Sequence, residues 1–165
     1  MEKSSTTEKL FKKQKITCKI LFSGVNTLQK NELRDKCSVF GGIILNTTNW
    51  DTECTHLIAI NPTHTEKFLS ACAQGCWILS PKFIENSFQE RKVVDEHEFV
   101  VEGKLKVIAE YWRRNRESSG KRAFEGWNVW IKIKDGKREG YKRLLLAGGA
   151  NCFEEYPNQV VSFLF

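Results

Sequence analysis

The chain has 165 residues, 41% of them hydrophobic and 28% charged, with a formal net charge of +6. That composition excludes a disordered chain. No apolar run is long enough to span a bilayer, and the N-terminus lacks the apolar core of a signal peptide. The expectation is therefore an intracellular protein with no membrane partner, holding one ordinary domain or one and a half small ones.

Residues 1–15 are polar, Lys-rich and aperiodic, and read as a flexible basic arm. Ile16 to Phe22 alternates as a strand, with Ile16, Cys18, Ile20 and Phe22 on one face and Ser23-Gly24 ending it. Leu28, Leu33, Cys37 and Phe40 sit near helical spacing, and Gly41-Gly42 stops that helix. Ile43 to Leu45 is a second strand, Asn46 to Glu53 a polar loop carrying Trp50, and Thr55 to Ile60 a third strand.

A capping box from Thr63 to Glu66 opens the next helix, since each of those side chains can reach the other's backbone N–H. Phe68, Leu69, Ala71, Cys72 and Ala73 form its face, and Gly75 is placed as a C-terminal stop. Trp77 to Leu79 reads as a short strand buried on both faces. Ser80-Pro81 then caps a helix with Phe83, Ile84, Ser87 and Phe88 inward. Arg91 to Val101 is an extended return segment. The order β-α-β-β-α-β-α argues for a small, mostly parallel sheet with helices on its faces.

Lys104 to Glu117 follows as a helix with Leu105, Ile108, Ala109 and Trp112 inward. Arg113, Arg114 and Arg116 lie near its end, where cations suit the dipole. Ser118 to Gly120 is a break. The pattern then restarts: Phe124-Glu-Gly126 echoes Phe22-Ser-Gly24, Trp127 to Ile133 is a strand and Gly140 to Ala147 a helix. Gly148-Gly149 echoes Gly41-Gly42, and Ala150 to Phe153 and Val160 to Phe165 are strands.

Lys67 is out of place by simple electrostatics, because the first turn of a helix disfavours a cation. It fits if an anion docks beside the free N–H groups of that turn; otherwise it is a solvated lysine screened by Glu66. The charge is also uneven. Lys104 to Arg143 holds thirteen Lys and Arg against five Asp and Glu, a net +8, which suggests nucleic acid or phosphorylated protein as the partner. The six cysteines fall mostly in apolar runs and read as reduced core residues. Cys-x-x-Cys pairs are absent, Gly75 breaks the helix between Cys72 and Cys76, and no metal or cofactor is expected.

Taken together, Phe22-Ser-Gly24, Gly41-Gly42, Cys54-Thr-His-Leu-Ile58 and Glu66-Lys-Phe-Leu-Ser-Ala-Cys-Ala-Gln-Gly-Cys-Trp-Ile-Leu79 resemble a tandem BRCT repeat. Tyr111-Trp-Arg-Arg114, Ala123-Phe-Glu-Gly-Trp127, Gly140-Tyr-Lys-Arg-Leu-Leu145 and Ala147-Gly-Gly-Ala150 are similar to the C-terminal BRCT pair of the topoisomerase II-binding protein family, a replication and checkpoint scaffold. BRCT partners of the SMC complex share a related pair. The resemblance implies an α/β BRCT fold, a small parallel four-stranded sheet flanked by helices, over 16–101. A linker helix over 102–122 and a partial second repeat over 123–165 complete the expected organisation.

It further implies a nuclear, non-enzymatic module that binds a phosphoserine or phosphothreonine peptide of a checkpoint or repair factor. The implied phosphate ligands are Ser23, Gly24, Thr65 and Lys67. The implied peptide groove holds His64, where many members have Arg, with Leu69, Tyr141, Arg143 and Leu144. Glu125 stands at the second repeat's counterpart of Ser23, so no second phosphate pocket is expected. DNA is the alternative partner, through the basic stretch 104–143 and Trp112, Trp127 and Trp130, although core packing accounts for those tryptophans as well. Catalysis is not expected, because His56, His64 and His97 lack partners at a suitable spacing. A partial second sheet would leave an edge near Val160 to Phe165 open to self-association.

Overall fold

A computed structural model of the protein describes residues 17–61, 64–133 and 136–155. Residues 1–16, Thr63 and Val160 to Phe165, on which some expectations fall, lie outside the described residues.

The first sheet is parallel, with strands β1 (Lys19–Ser23), β2 (Ile43–Ile44), β3 (His56–Ala59) and β4 (Trp77–Leu79) in the order β2-β1-β3-β4. Period-2 alternation splits β1 between two cores. Cys18, Ile20 and Phe22 meet Leu33, Cys37 and Phe40 of helix α1 (Thr27–Phe40), and Phe83 and Ile84 of helix α3 (Lys82–Glu90). Leu21 faces the other way, toward Phe68 and Ala71 of helix α2 (Glu66–Gln74). Strands covered on both faces need continuous apolar character, and β3 is buried at all four positions.

Local chemistry fixes the helix ends. Asn26 accepts from the Gln29 N–H at 2.9 Å to start α1, and Thr65 Oγ1 accepts from the Phe68 N–H at 3.3 Å to start α2. The cap of α2 is thus Thr65, not Thr63. The Glu66 carboxylate accepts from Arg143 and from the Trp50 N–H. Gly75 ends α2 at φ 73°, where a side chain would also lie 2.6 Å from the Trp112 carbonyl oxygen. At α3 the Ser80 side chain makes no capping bond, and Pro81 is the cap residue.

The return segment contains a 3-10 turn, Glu96–Phe99, and then pairs antiparallel with β4, Leu79 opposite Val100. It covers that edge of the sheet. Helix α4 (Lys106–Ser119) lies across α2, and Arg116 donates to the Gln74 carbonyl at 3.2 Å, capping the end of α2. Beyond it, β5 (Asn128–Trp130), α5 (Arg138–Ala147) and β6 (Asn151–Phe153) repeat the first β-α-β of the chain. β5 and β6 are parallel, and Val129, Ile131, Leu145 and Ala150 form their core. α5 packs on α2 and sends Ala147 into the first core.

Several inward expectations are corrected. Leu28 is 82% exposed and Phe88 39%, each lying just off its helix's apolar stripe. Ile108 is half exposed, and Arg113 takes the buried position one turn beyond Ala109. Trp77 is only partly buried: the Arg113 guanidinium sits 3.8 Å over its ring and His97 meets its edge. Trp127 is exposed, at 40%. Trp50, expected in a polar loop, is buried and donates through Nε1 to Gln74 Oε1 at 3.2 Å.

Candidate functional site

The N-termini of α1 and α2 converge at the C-terminal end of β1. Between them lies an open cleft of about 480 Å³, whose walls include Ser23, Gly24, Lys30, Thr65, Glu66 and Lys67. Parallel α/β sheets place their ligand sites at the carboxyl ends of strands, and two helix N-termini add partial positive charge there.

Ser23 ends β1 with its hydroxyl 3.2 Å from Thr65 Oγ1, so the strand end and the cap of α2 are in contact. Gly24 turns the chain at φ 68°, and the space where its side chain would stand is open, so a ligand can approach the backbone. Lys67, in the first turn of α2, donates to the Phe22 carbonyl at 3.3 Å. Burial, and next the nearby Lys30 charge, hold its ammonium below the usual lysine range. Two cations, two hydroxyls and a glycine backbone thus face one space, a donor set suited to a phosphate with its three acceptor oxygens.

The four residues expected to hold phosphate therefore lie together. The expected groove residues do not line this cleft: His64 and Tyr141 are exposed, and Leu69 and Leu144 are partly buried on α2 and α5. Arg143 reaches the margin, where its Nε and Nη2 donate to Glu66 Oε1 and Oε2 at 2.6 and 2.8 Å. This pairing holds the Glu66 carboxyl below the usual carboxylate range.

Sequence reasoning missed Lys30, Thr48 and Asn49, which also line the cleft. Lys30 gave the same signal as Lys67, a cation in the first turn of a helix. Thr48 and Asn49 gave none, because the burial of Trp50 beside them anchors their loop at the cleft. The histidines lie elsewhere. His56 is fully buried, with Nδ1 2.7 Å from Thr55 Oγ1 and Nε2 3.5 Å from Glu96. His97 pairs with Asp95 on the surface. Glu125, opposite Arg122 at 3.2 Å, precedes Gly126 at φ 81°, the turn that repeats Ser23-Gly24.

A parallel β2-β1-β3-β4 sheet between helix layers, with a cation cleft at the end of its first strand, defines the class as a BRCT module. The family model described as the Regulator of Ty1 transposition protein 107 BRCT domain matches residues 1–101, and the chain belongs to this BRCT family. Among similar proteins, the SMC5-SMC6 complex localization factor protein 1 of Bos taurus is 34% identical over 110 residues, 59% of this chain and 10% of that protein. PAX-interacting protein 1 of Mus musculus is 31% identical over 86 residues, 52% of this chain and 8% of that protein. The chain thus spans about a tenth of the length of the curated relatives it matches. In structure it resembles the BRCT5-BRCT6 domains of S. pombe Brc1, with a TM-score of 0.62 at 20% identity, over 89% of this chain and 66% of that one.

Proposed function

We propose that the protein is a non-enzymatic reader of phosphoserine or phosphothreonine peptides, acting in the nucleus within a DNA-damage-response or replication-checkpoint scaffold. The observation that carries this reading is the convergence of Ser23, Gly24, Thr65 and Lys67 on one open cleft at two helix N-termini. In this reading the phosphate takes hydrogen bonds from the Ser23 and Thr65 hydroxyls and the Gly24 N–H. It replaces the Phe22 carbonyl as the partner of the Lys67 ammonium, and Lys30 closes the far side. Each charge-assisted bond contributes about 1.5–3 kcal/mol.

The division into a first repeat over 16–101, a linker helix over 102–122 and a partial second repeat over 123–165 is part of the same proposal. So is the finer kinship with the C-terminal pair of the topoisomerase II-binding protein family. It is supported by the motifs Tyr111 to Arg114 and Gly140 to Leu145, which lie on α4 and α5. Only the first repeat holds phosphate, because Glu125 would set a carboxylate against the anion at the corresponding turn.

The test is an affinity screen of a degenerate phosphoserine and phosphothreonine peptide library before and after phosphatase treatment. Retention that phosphatase abolishes is expected; equal retention of both pools would refute the reading.

A further inference from the structure

Glu66 is a liability to the cleft it lines. It immediately precedes Lys67, so a phosphate beside Lys67 meets it as a like charge. Left alone it would also compete with the phosphate for the lysine's ammonium. The structure supplies a counter-charge from outside the first sheet. Arg143, on α5 of the second β-α-β unit, grips both carboxylate oxygens at 2.6 and 2.8 Å, the fork geometry that distinguishes arginine from lysine. The Trp50 N–H adds a third donor at 3.4 Å. α5 approaches so closely at Gly140 that a Cβ there would stand 3.1 Å from Glu66 Oε2. The carboxylate is thereby held against α5.

We propose that Arg143 is a positioning residue that sets the phosphate affinity of the cleft through Glu66, so that docking of α5 on α2 and capture of phosphate strengthen each other. The proposal rests on the phosphate reading of the cleft and adds its regulation. With α5 docked, Glu66 is neutralised and turned aside, and Lys30 and Lys67 determine the cleft's charge. With α5 displaced, Glu66 carries an uncompensated charge within the screening length, about 8 Å at physiological salt, of the bound anion. Coupling of this kind is reciprocal: whatever α5 adds to phosphate affinity, phosphate adds to the docking of α5. Any factor that pulls the second unit away therefore weakens phosphate capture without touching the cleft.

The test uses the full chain and blocked phosphothreonine, N-acetyl-phosphothreonine N-methylamide, which lacks flanking residues for Arg143 to contact. Binding is followed by NMR at the Gly24 amide. Arg143→Gln is expected to weaken binding about fivefold or more, whereas Glu66→Gln binds at least as tightly as the parent. The double variant is expected to bind within about twofold of Glu66→Gln. Arg143→Lys, which keeps the charge and loses the fork, falls between the parent and Arg143→Gln, and decides the matter if Arg143→Gln does not fold. Phosphothreonine is expected to slow amide exchange at Leu144 to Ala147 in the parent but not in Glu66→Gln. A loss in Arg143→Gln that persists undiminished in the Glu66→Gln background would overturn the proposal, since Arg143 would then act on the ligand or the fold directly. So would unchanged binding in Arg143→Gln. Absence of saturable binding by the parent would overturn the phosphate reading itself.

Discussion

Lys67 sits at the centre of the account because two opposed requirements meet on it. Burial and the Lys30 charge disfavour its protonated form, whereas a bound phosphate requires it. Phosphothreonine binding should therefore fall off, as pH rises, below the usual lysine value of about 10.4. Lys30→Met, which removes one of the two opposing influences, should move that fall-off to higher pH even as it lowers the affinity overall. Binding measured across the pH range checks both, and an unmoved fall-off would separate Lys30 from Lys67. Trp77 is a different case. Its ring lies under Arg113 and in T-shaped contact with His97, apart from the residues that line the cleft, and the buried Arg113 Nε has no hydrogen-bond partner among the described residues. Trp77→Ala should cost near the lower end of the about 3–5 kcal/mol typical of buried aromatics while leaving phosphopeptide affinity intact. An unchanged melting temperature would contradict this.

Among the elements, the contact of α2 with α4 and α5 decides how the two halves of the chain meet. Gly75→Ala should destabilise the protein by more than about 1 kcal/mol, because the new Cβ combines a left-handed φ with a clash against the Trp112 carbonyl of α4. A urea midpoint equal to the parent's would show that α4 yields freely. The Glu66–Arg143 pair adds an acid limit. The Glu66 carboxyl titrates lower folded than unfolded, so its contribution is complete above the unfolded value of about 4.3. It is lost as pH falls through the folded value. Amide exchange on α5 should accelerate over that interval in the parent and show no such step in Arg143→Gln. The elements themselves were legible in the sequence. The alternation of β1, the apolar run of β3 and the stops at Gly41 and Gly75 are local signals, and local signals decide strands and helix ends. The cap of α2 was legible only to within two residues, because Thr63 and Thr65 both suit an N-cap and the contact with Ser23 distinguishes them. The burial of Trp50 and Arg113 was not legible because their partners, Gln74 and Trp77, lie 24 and 36 residues away and leave no periodic trace.

Across the whole molecule, part of the basic stretch that made DNA a rival is paired in place. Arg113 faces Glu117, Arg122 faces Glu125, Arg138 and Lys142 share Glu154, and Arg143 faces Glu66. Cations committed to carboxylates release few counterions from a polyanion, so binding to duplex DNA should be weak. A single phosphate pocket should lose much less affinity between 50 and 200 mM salt, a range over which multi-phosphate DNA contacts lose about a thousandfold or more. Phosphopeptide binding as salt-sensitive as DNA binding would favour the rival. The most direct test is calorimetric titration of one phosphopeptide recovered from the library screen, and its unphosphorylated form, into the parent, Ser23→Ala and Lys67→Ala. The account predicts binding by the parent of the phosphorylated form alone, weakened roughly ten- to a hundredfold in each variant, as the loss of a charge-assisted hydrogen bond requires. Parent-like affinity in both variants would contradict it.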